Sequence, residues 1–325
     1  MTNSQSVCIG RFLVDLPADA QVSDSTSYQR ITPHKPVRVA SFAKVQQQID
    51  GQAKAFRTVR MIRDSYGDEL TRAGGGDPDK EFGLTQLVGL NIDVPSQEVV
   101  LGYHPDLKGS AINTVIHKVI GQWDYVFDTQ GFGADDYPKT LQALEMAAAQ
   151  FQPRVIGEMP RAPGFCFDGG MFADAGKPPV LESFTLVVTF PTHPDVRFVI
   201  DARTIVKVDT DEPSLKFRAN SELAVLRTSI DGYVGVLARG ELNIATQDGY
   251  QIAISAPYDR VPNTRMLKFF WSADGVPNDV TRPFMEIDMT VQPTDDGKST
   301  IKDDAQAKAL WNELIQGVRI RPGSV

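Results

Sequence analysis

Gly164-Phe165-Cys166-Phe167-Asp168-Gly169-Gly170 stands at the midpoint of a chain of 325 residues. It echoes Cys8-Ile9-Gly10-Arg11-Phe12 near the start, so each of the two cysteines opens one half of the chain. The halves also close alike. A helical pattern over 138–151 runs into Gln152-Pro153-Arg154-Val155, and one over 303–316 runs into Gly317-Val318-Arg319-Ile320. Repetition of this kind predicts two tandem domains, 1–158 and 159–325, with the boundary within 156–163. The length agrees, because 325 residues commonly make two domains that each bury a core.

Working outward from the midpoint, Phe184–Phe190 is rich in β-branched and aromatic residues and predicts a strand. Pro191-Thr192-His193-Pro194-Asp195 turns the chain back into 197–202. Further strands are expected at 250–255, 266–271 and 285–291, a short helix at 221–229, and either strands or irregular structure over 233–246. Asp303 suits the N-cap of the last helix, whose Leu310, Leu314 and Ile315 face inward before Gly317 stops it. In the first half, strands are predicted at 8–14, 28–32, 37–42, 82–88, 98–103, 114–120 and 123–128. Val45, Ile49, Ala53, Phe56 and Val59 recur at helical spacing and predict a helix over 44–62. Arg72 to Lys80, with three consecutive glycines, reads as an exposed loop. Strands and helices do not alternate strictly, so the predicted class is α+β: two domains, each a mostly antiparallel sheet with a few packing helices.

Composition excludes several functions. Net charge is −8, which repels nucleic-acid phosphates. No apolar run approaches the roughly 18–20 residues of a membrane span. Residues 1–7 lack the basic and apolar regions of a signal peptide, which points to the cytoplasm or to a trimmed precursor. The cysteines read in two ways. They are two buried thiols, or, in an oxidising compartment, one bridge between the domains.

The chain carries no Gly-x-Ser-x-Gly elbow and no His-Glu-x-x-His. His34, His104, His117 and His193 are scattered, so no metal site is expected. Gly74-Gly75-Gly76 lacks the Lys-Ser/Thr of a phosphate loop, and Gly131-x-Gly133 lacks the third glycine of a dinucleotide fingerprint. Asp135-Asp136 and Asp303-Asp304 precede helices, where carboxylates favour the positive dipole end. Cys166 lies between Phe165 and Phe167, a setting that raises a thiol pKa rather than activating it. Neither a catalytic residue nor a cofactor is expected.

Cys8-x-Gly10-Arg11-Phe12-Leu13-Val14-Asp15-Leu16-Pro17 resembles the opening of the immunity proteins that neutralise type VI secretion lipase effectors. Gly164-Phe165-Cys166, Phe270-Trp271, Pro283-x-Met285-x-Ile287-x-Met289 and the Trp311 helix ending in Arg319-Ile320-Arg321-Pro322 are similar to that family as well. The resemblance covers nearly the whole chain. It implies a non-enzymatic inhibitor with N-terminal and C-terminal immunity domains. It further implies a periplasmic protein that binds a cognate lipase, grips it near its lid and blocks substrate access. The motif residues themselves look structural, with Gly10 and Gly164 suited to turns.

A broad steric block would draw on the turns at 72–80, 131–137, 191–195, 257–263 and 274–280. Aromatic and arginine residues dominate such interfaces, so Trp123, Phe132, Tyr258 and Arg260 are the predicted partner contacts. Two rival readings remain at this level: an envelope module for a small ligand, and an uncharacterised hydrolase.

Overall fold

The computed structural model describes residues 4–62, 65–78, 85–133, 136–155, 158–174, 176, 181–207, 216–217, 221, 223–224, 234–258 and 264–325. In chain order the first strands are β1 (Ser4–Ile9), β2 (Phe12–Pro17), β3 (Gln21–Tyr28), β4 (Thr32–Pro33) and β5 (Val37–Arg38). Helices α1 (Phe42–Thr58) and α2 (Ser65–Ala73) follow, then β6 (Leu87–Asp93), β7 (Glu98–Tyr103), β8 (Ala111–Ile120) and β9 (Trp123–Phe132). Helix α3 (Tyr137–Gln150) leads to β10 (Phe151–Pro153), β11 (Gly164–Phe167), β12 (Gly170–Ala173), β13 (Glu182–Phe190) and β14 (His193–Arg203). The remainder is β15 (Gly235–Ile244), β16 (Gln247–Pro257), β17 (Arg265–Ala273), β18 (Phe284–Val291), α4 (Asp304–Gln316) and β19 (Val318–Ile320). The α+β class with antiparallel sheets is therefore the observed one.

The chain divides into two compact units. One holds residues 1–29, 154–167 and 173–325; the other holds 30–153 and 168–172.

In the first unit a seven-stranded antiparallel sheet runs β15-β16-β17-β18-β14-β13-β3, and a small sheet runs β1-β2-β19. Strand alternation sends every second residue to one face. In register across that face, Leu186, Ile200, Ile287 and Trp271 form one row, and Val188, Phe198, Met289 and Phe269 the next. Helix α4 covers these rows with Ala307, Trp311, Leu314 and Ile315, all buried. Trp311 stacks on Phe269 with centroids 5.6 Å apart and meets Phe198 edge-on at 6.4 Å. Asp303 caps the helix as expected, accepting from the Gln306 N–H at 2.8 Å. The ambiguous stretch 233–246 contains the edge strand β15, with a register shift between Val236 and Ala238. The expected strand at 8–14 is instead a hairpin, β1 and β2, turning at Gly10, whose φ is +55°. A Cβ at Gly10 would stand 2.7 Å from the Phe184 ring, so both backbone and contact require glycine.

In the second unit β4, β9, β8, β7 and β6 form an antiparallel sheet, β5 also pairs with β9, and β10 pairs with β12. Helix α1 lays Val45, Ile49 and Ala53 on Val99, Leu101 and Val119. It ends at Thr58, and a separate helix, α2, occupies part of the expected loop. Helix α3 covers the opposite sheet face, where the Tyr137 ring lies over Gly89 and Gly102. A Cβ at Gly102 would stand 2.3 Å from that ring, and one at Gly89 2.3 Å from its hydroxyl. Phe127, Phe151 and Phe172 close this side, with centroids 5.0–6.3 Å apart.

The units do not coincide with 1–158 and 159–325. Strand β3 pairs with β13 along eight residues, and β2 pairs with β19, so residues 1–29 lie in the unit that also holds the C-terminus. The expected helix at 221–229 lies largely outside the described residues.

Candidate partner-binding site

The family-like motifs meet in the first unit. Gly10 and Cys166 exchange two backbone hydrogen bonds, N–H to carbonyl, at 2.8 and 2.9 Å. Cys8 and Cys166 form a disulfide with Cα atoms 5.7 Å apart. The reading of two buried thiols is therefore wrong. The bridge also lies within one unit and joins no two units, because β1 and β11 are neighbours there.

Arg11 is 1% exposed. Its Nη1 donates to Asp174 and to the Ser324 carbonyl, both at 2.6 Å; its Nη2 donates to Asp174 at 2.9 Å and to Glu182. Its Nε donates to Glu182 at 3.0 Å. Burial alone would lower the Arg11 pKa, but hydrogen bonds to Glu182 and Asp174 outweigh it and hold the guanidinium charged. Burial pushes Glu182 up despite Arg11. Arg321, also buried, donates from Nη1 to the carbonyls of Pro160 and Ala162 at 2.9 Å and from Nη2 to that of Gly164 at 2.7 Å. Burial, with Arg11 and Arg154 nearby, pulls its pKa down to about 10. These arginines lash the opening hairpin, the midpoint strand and the C-terminal tail together. Arg11 spends its donors on internal acceptors, and Arg321 both of its terminal amino groups, leaving only its buried Nε unpartnered, so the cluster supports the fold. The adjoining cavity, lined by Gly10, Arg11, Phe165, Glu182, Phe184 and Arg203 among others, measures about 10 Å³, room for one water. Among the described residues no group of three His, Cys, Asp or Glu is placed to hold a metal. No helix among them is long and apolar enough to cross a membrane.

The predicted contacts fall apart in space. Trp123 and Phe132 are the first and last residues of β9, 45% and 66% exposed. Nine positions apart, they point to opposite sheet faces, with Cα atoms about 30 Å apart by strand rise. Tyr258 is buried; its hydroxyl accepts from Gln292 Nε2 at 2.6 Å and its N–H donates to the Thr264 carbonyl at 3.0 Å. It staples the β16–β17 connection and offers no surface to a partner. Arg260, with most of the 257–263 turn, lies outside the described residues. The 191–195 turn is pinned: Ser299 Oγ and the Thr300 N–H donate to Asp195 at 2.6 and 2.9 Å. Sequence reasoning missed helix α2, which leaves Tyr66 and Leu70 exposed. The signal was present as Ile62, Tyr66 and Leu70, spaced by four.

A family model described as the Tle cognate immunity protein 4 C-terminal domain matches residues 158–323. No curated protein matches the sequence. Among solved structures, the apo immunity protein TplEi of T6SS from Pseudomonas aeruginosa superposes with a TM-score of 0.78 at 20% identity, over 98% of this chain and 97% of that one. The Tle4-Tli4 complex contains a chain that matches with a TM-score of 0.79 at 20% identity, over 99% and 98%. TplEi complexed with "L" peptide matches with a TM-score of 0.74 at 20% identity, over 99% of each chain. At this identity the likeness is one of fold, and it spans the whole chain.

Proposed function

The chain belongs to the family of the Tle cognate immunity protein 4 C-terminal domain, and from that premise we propose that it binds and inhibits a lipase effector of a type VI secretion system. The match over residues 158–323 carries this reading. In this proposal inhibition is steric. The protein grips the lipase near its lid and denies substrate access, with no chemistry of its own. Trp123 and Phe132 remain proposed contacts, and their separation makes their contributions independent of one another. A stable complex of this kind buries roughly 1,600 Å² in total.

We place its action in the periplasm. The Cys8–Cys166 disulfide supports that compartment, because such bonds form and persist under oxidising conditions.

The test begins with capture of the effector from lysate of the producing strain, using this protein as bait. The purified effector is then assayed on phospholipid with increasing amounts of the protein. Stoichiometric inhibition, and survival of effector-expressing cells only when the protein is exported, are expected. Effector activity unchanged at a tenfold excess would defeat the proposal. So would ester hydrolysis by this protein alone that one point substitution abolishes.

A further inference from the structure

Strand β8 outruns its neighbour β7. Its odd-numbered residues turn their backbone groups toward β7, as the bond from the Val119 N–H to the Gln97 carbonyl shows. The ladder closes with Tyr103 opposite Asn113. The next position, Ala111, would face Pro105, which has no N–H to give. The His104 ring supplies the missing donor, with Nδ1 2.9 Å from the Ala111 carbonyl. A carbonyl only accepts, so Nδ1 carries the hydrogen and neutral His104 keeps its lone pair on Nε2. The backbone of His104 is held as well. Its N–H donates to the Gln86 carbonyl and its carbonyl accepts from Gln86 Nε2, each at 2.9 Å. The residue is 4% exposed. What the ring steadies is the end of the β8–β9 hairpin. There Ala111 registers with Phe132, and the Ser110 carbonyl accepts from the Gly133 N–H at 2.9 Å.

We propose that His104 is a positioning residue for the effector contact at Phe132, and that acid loosens this contact by driving a charged His104 ring out of its place. The inference rests on the functional reading above. The surroundings offer a charged ring no partner. Asp106 and Lys108 of the same loop are exposed, and Asp106 accepts from the Lys108 N–H. Gln86 is neutral, and Arg60, bridged to Thr85, is exposed and of the same sign as a charged ring. On β8 and β9, Asn113 and Gln130 bond each other. On α3, Tyr137 is neutral, and Asp136 is committed to Lys139 and to the Phe132 N–H at 2.9 and 3.2 Å. Burial therefore holds the imidazole below its ordinary value of 6.5 despite the Ala111 bond, so the folded chain takes up this proton less readily than the unfolded one. The stabilisation is complete above about pH 6.5 and falls as pH drops below it. His34, raised by Asp128, has the opposite sign and is common to every variant below.

The experiment is calorimetric titration of the captured effector at pH 7.5 and pH 5.5 with three proteins. They are the parent, His104→Asn, which keeps a donor at the Nδ1 position and cannot titrate, and His104→Leu, which keeps neither property. At pH 7.5 the asparagine variant is expected to bind within about threefold of the parent and the leucine variant about fivefold more weakly, because it orphans the Ala111 carbonyl. At pH 5.5 the parent should weaken about fivefold relative to the asparagine variant. A parent-to-asparagine ratio that is the same at both pH values overturns the proposal, and this ratio decides even where the leucine variant fails to fold. In a Phe132→Ala background the leucine substitution should lose its effect; an equal loss there overturns positioning through Phe132. Hydrogen exchange of the Gly133 amide in the free protein separates this assignment from the functional reading. Exchange should quicken in the leucine variant and not in the asparagine variant, and equal protection in all three overturns the assignment. If that exchange pattern holds while the parent fails to bind the effector, it is the functional reading that falls, and the effector contact falls with it.

Discussion

Breaking the Cys8–Cys166 disulfide should destabilise the first unit by several kcal/mol while leaving its native structure in place. The native contact does not depend on the sulfur bond, since Gly10 and Cys166 already exchange two backbone hydrogen bonds. The bridge acts on the unfolded chain instead. It spans 158 positions of sequence, and closing a loop of that length removes entropy equivalent to about 5 kcal/mol. If the second unit stays folded while the first unfolds, the flexible chain within the loop shrinks to residues 8–29 and 154–166. About 35 free residues then correspond to about 4 kcal/mol. The expected loss is therefore about 4–5 kcal/mol. The assay is urea unfolding followed by tryptophan fluorescence in a Trp123→Phe background, with and without reductant. Trp271 and Trp311 then report the first unit alone, where both are buried. Reduction should lower the midpoint and raise the m-value, because the reduced unfolded chain exposes more surface. A loss below about 1 kcal/mol with the m-value unchanged would refute the reasoning.

Other substitutions probe the same unit. Arg11→Met leaves Asp174 and Glu182 buried without a counter-charge and should cost about 3–5 kcal/mol in urea unfolding; Arg11→Lys should not restore it, because a point charge cannot reproduce the forked hydrogen bonds. Asp195 is pushed up by burial, but hydrogen bonds from Ser299 and Thr300 bring its pKa below the usual value. Its contribution is thus present above the unfolded carboxylate pKa of about 3.9 and disappears as pH falls through the lower folded value. Asp195→Asn should flatten the loss of thermal midpoint below about pH 4, and an acid limb as steep as the parent's would contradict this. A cut at 158/159 separates β3 from β13 and β2 from β19, so neither 1–158 nor 159–325 should unfold cooperatively, whereas 30–153 should; calorimetry of the three fragments decides.

Some elements could be read from local pattern. The stripe of Val45, Ile49 and Ala53, the alternation of Phe184 to Phe190 and the Asp303 cap each depend on neighbours a few residues away, and each stands where the pattern puts it. The candidate site was harder to read. Trp123 and Phe132 are exposed as a contact residue must be, but Tyr258 has the same aromatic character and is buried by a hydrogen bond to Gln292, 34 positions away. Residue type does not report exposure. In α2 the apolar spacing was visible, but a reader of spacing assumes that the stripe faces inward.

The amino-acid sequence alone determined the α+β class, the antiparallel character and the likeness to the immunity family, because periodicity, capping and short motifs are local properties. The tertiary structure alone decided the grouping of residues 1–29 with the C-terminus, the location of the disulfide within one unit and the outward face of α2. Each depends on which distant segment a strand or helix meets. Strand β3 is polar along most of its length and carries no mark that names β13 as its neighbour. That choice comes from backbone pairing and from side-chain fit along eight registered positions, a long-range complementarity that emerges only when the chain is folded.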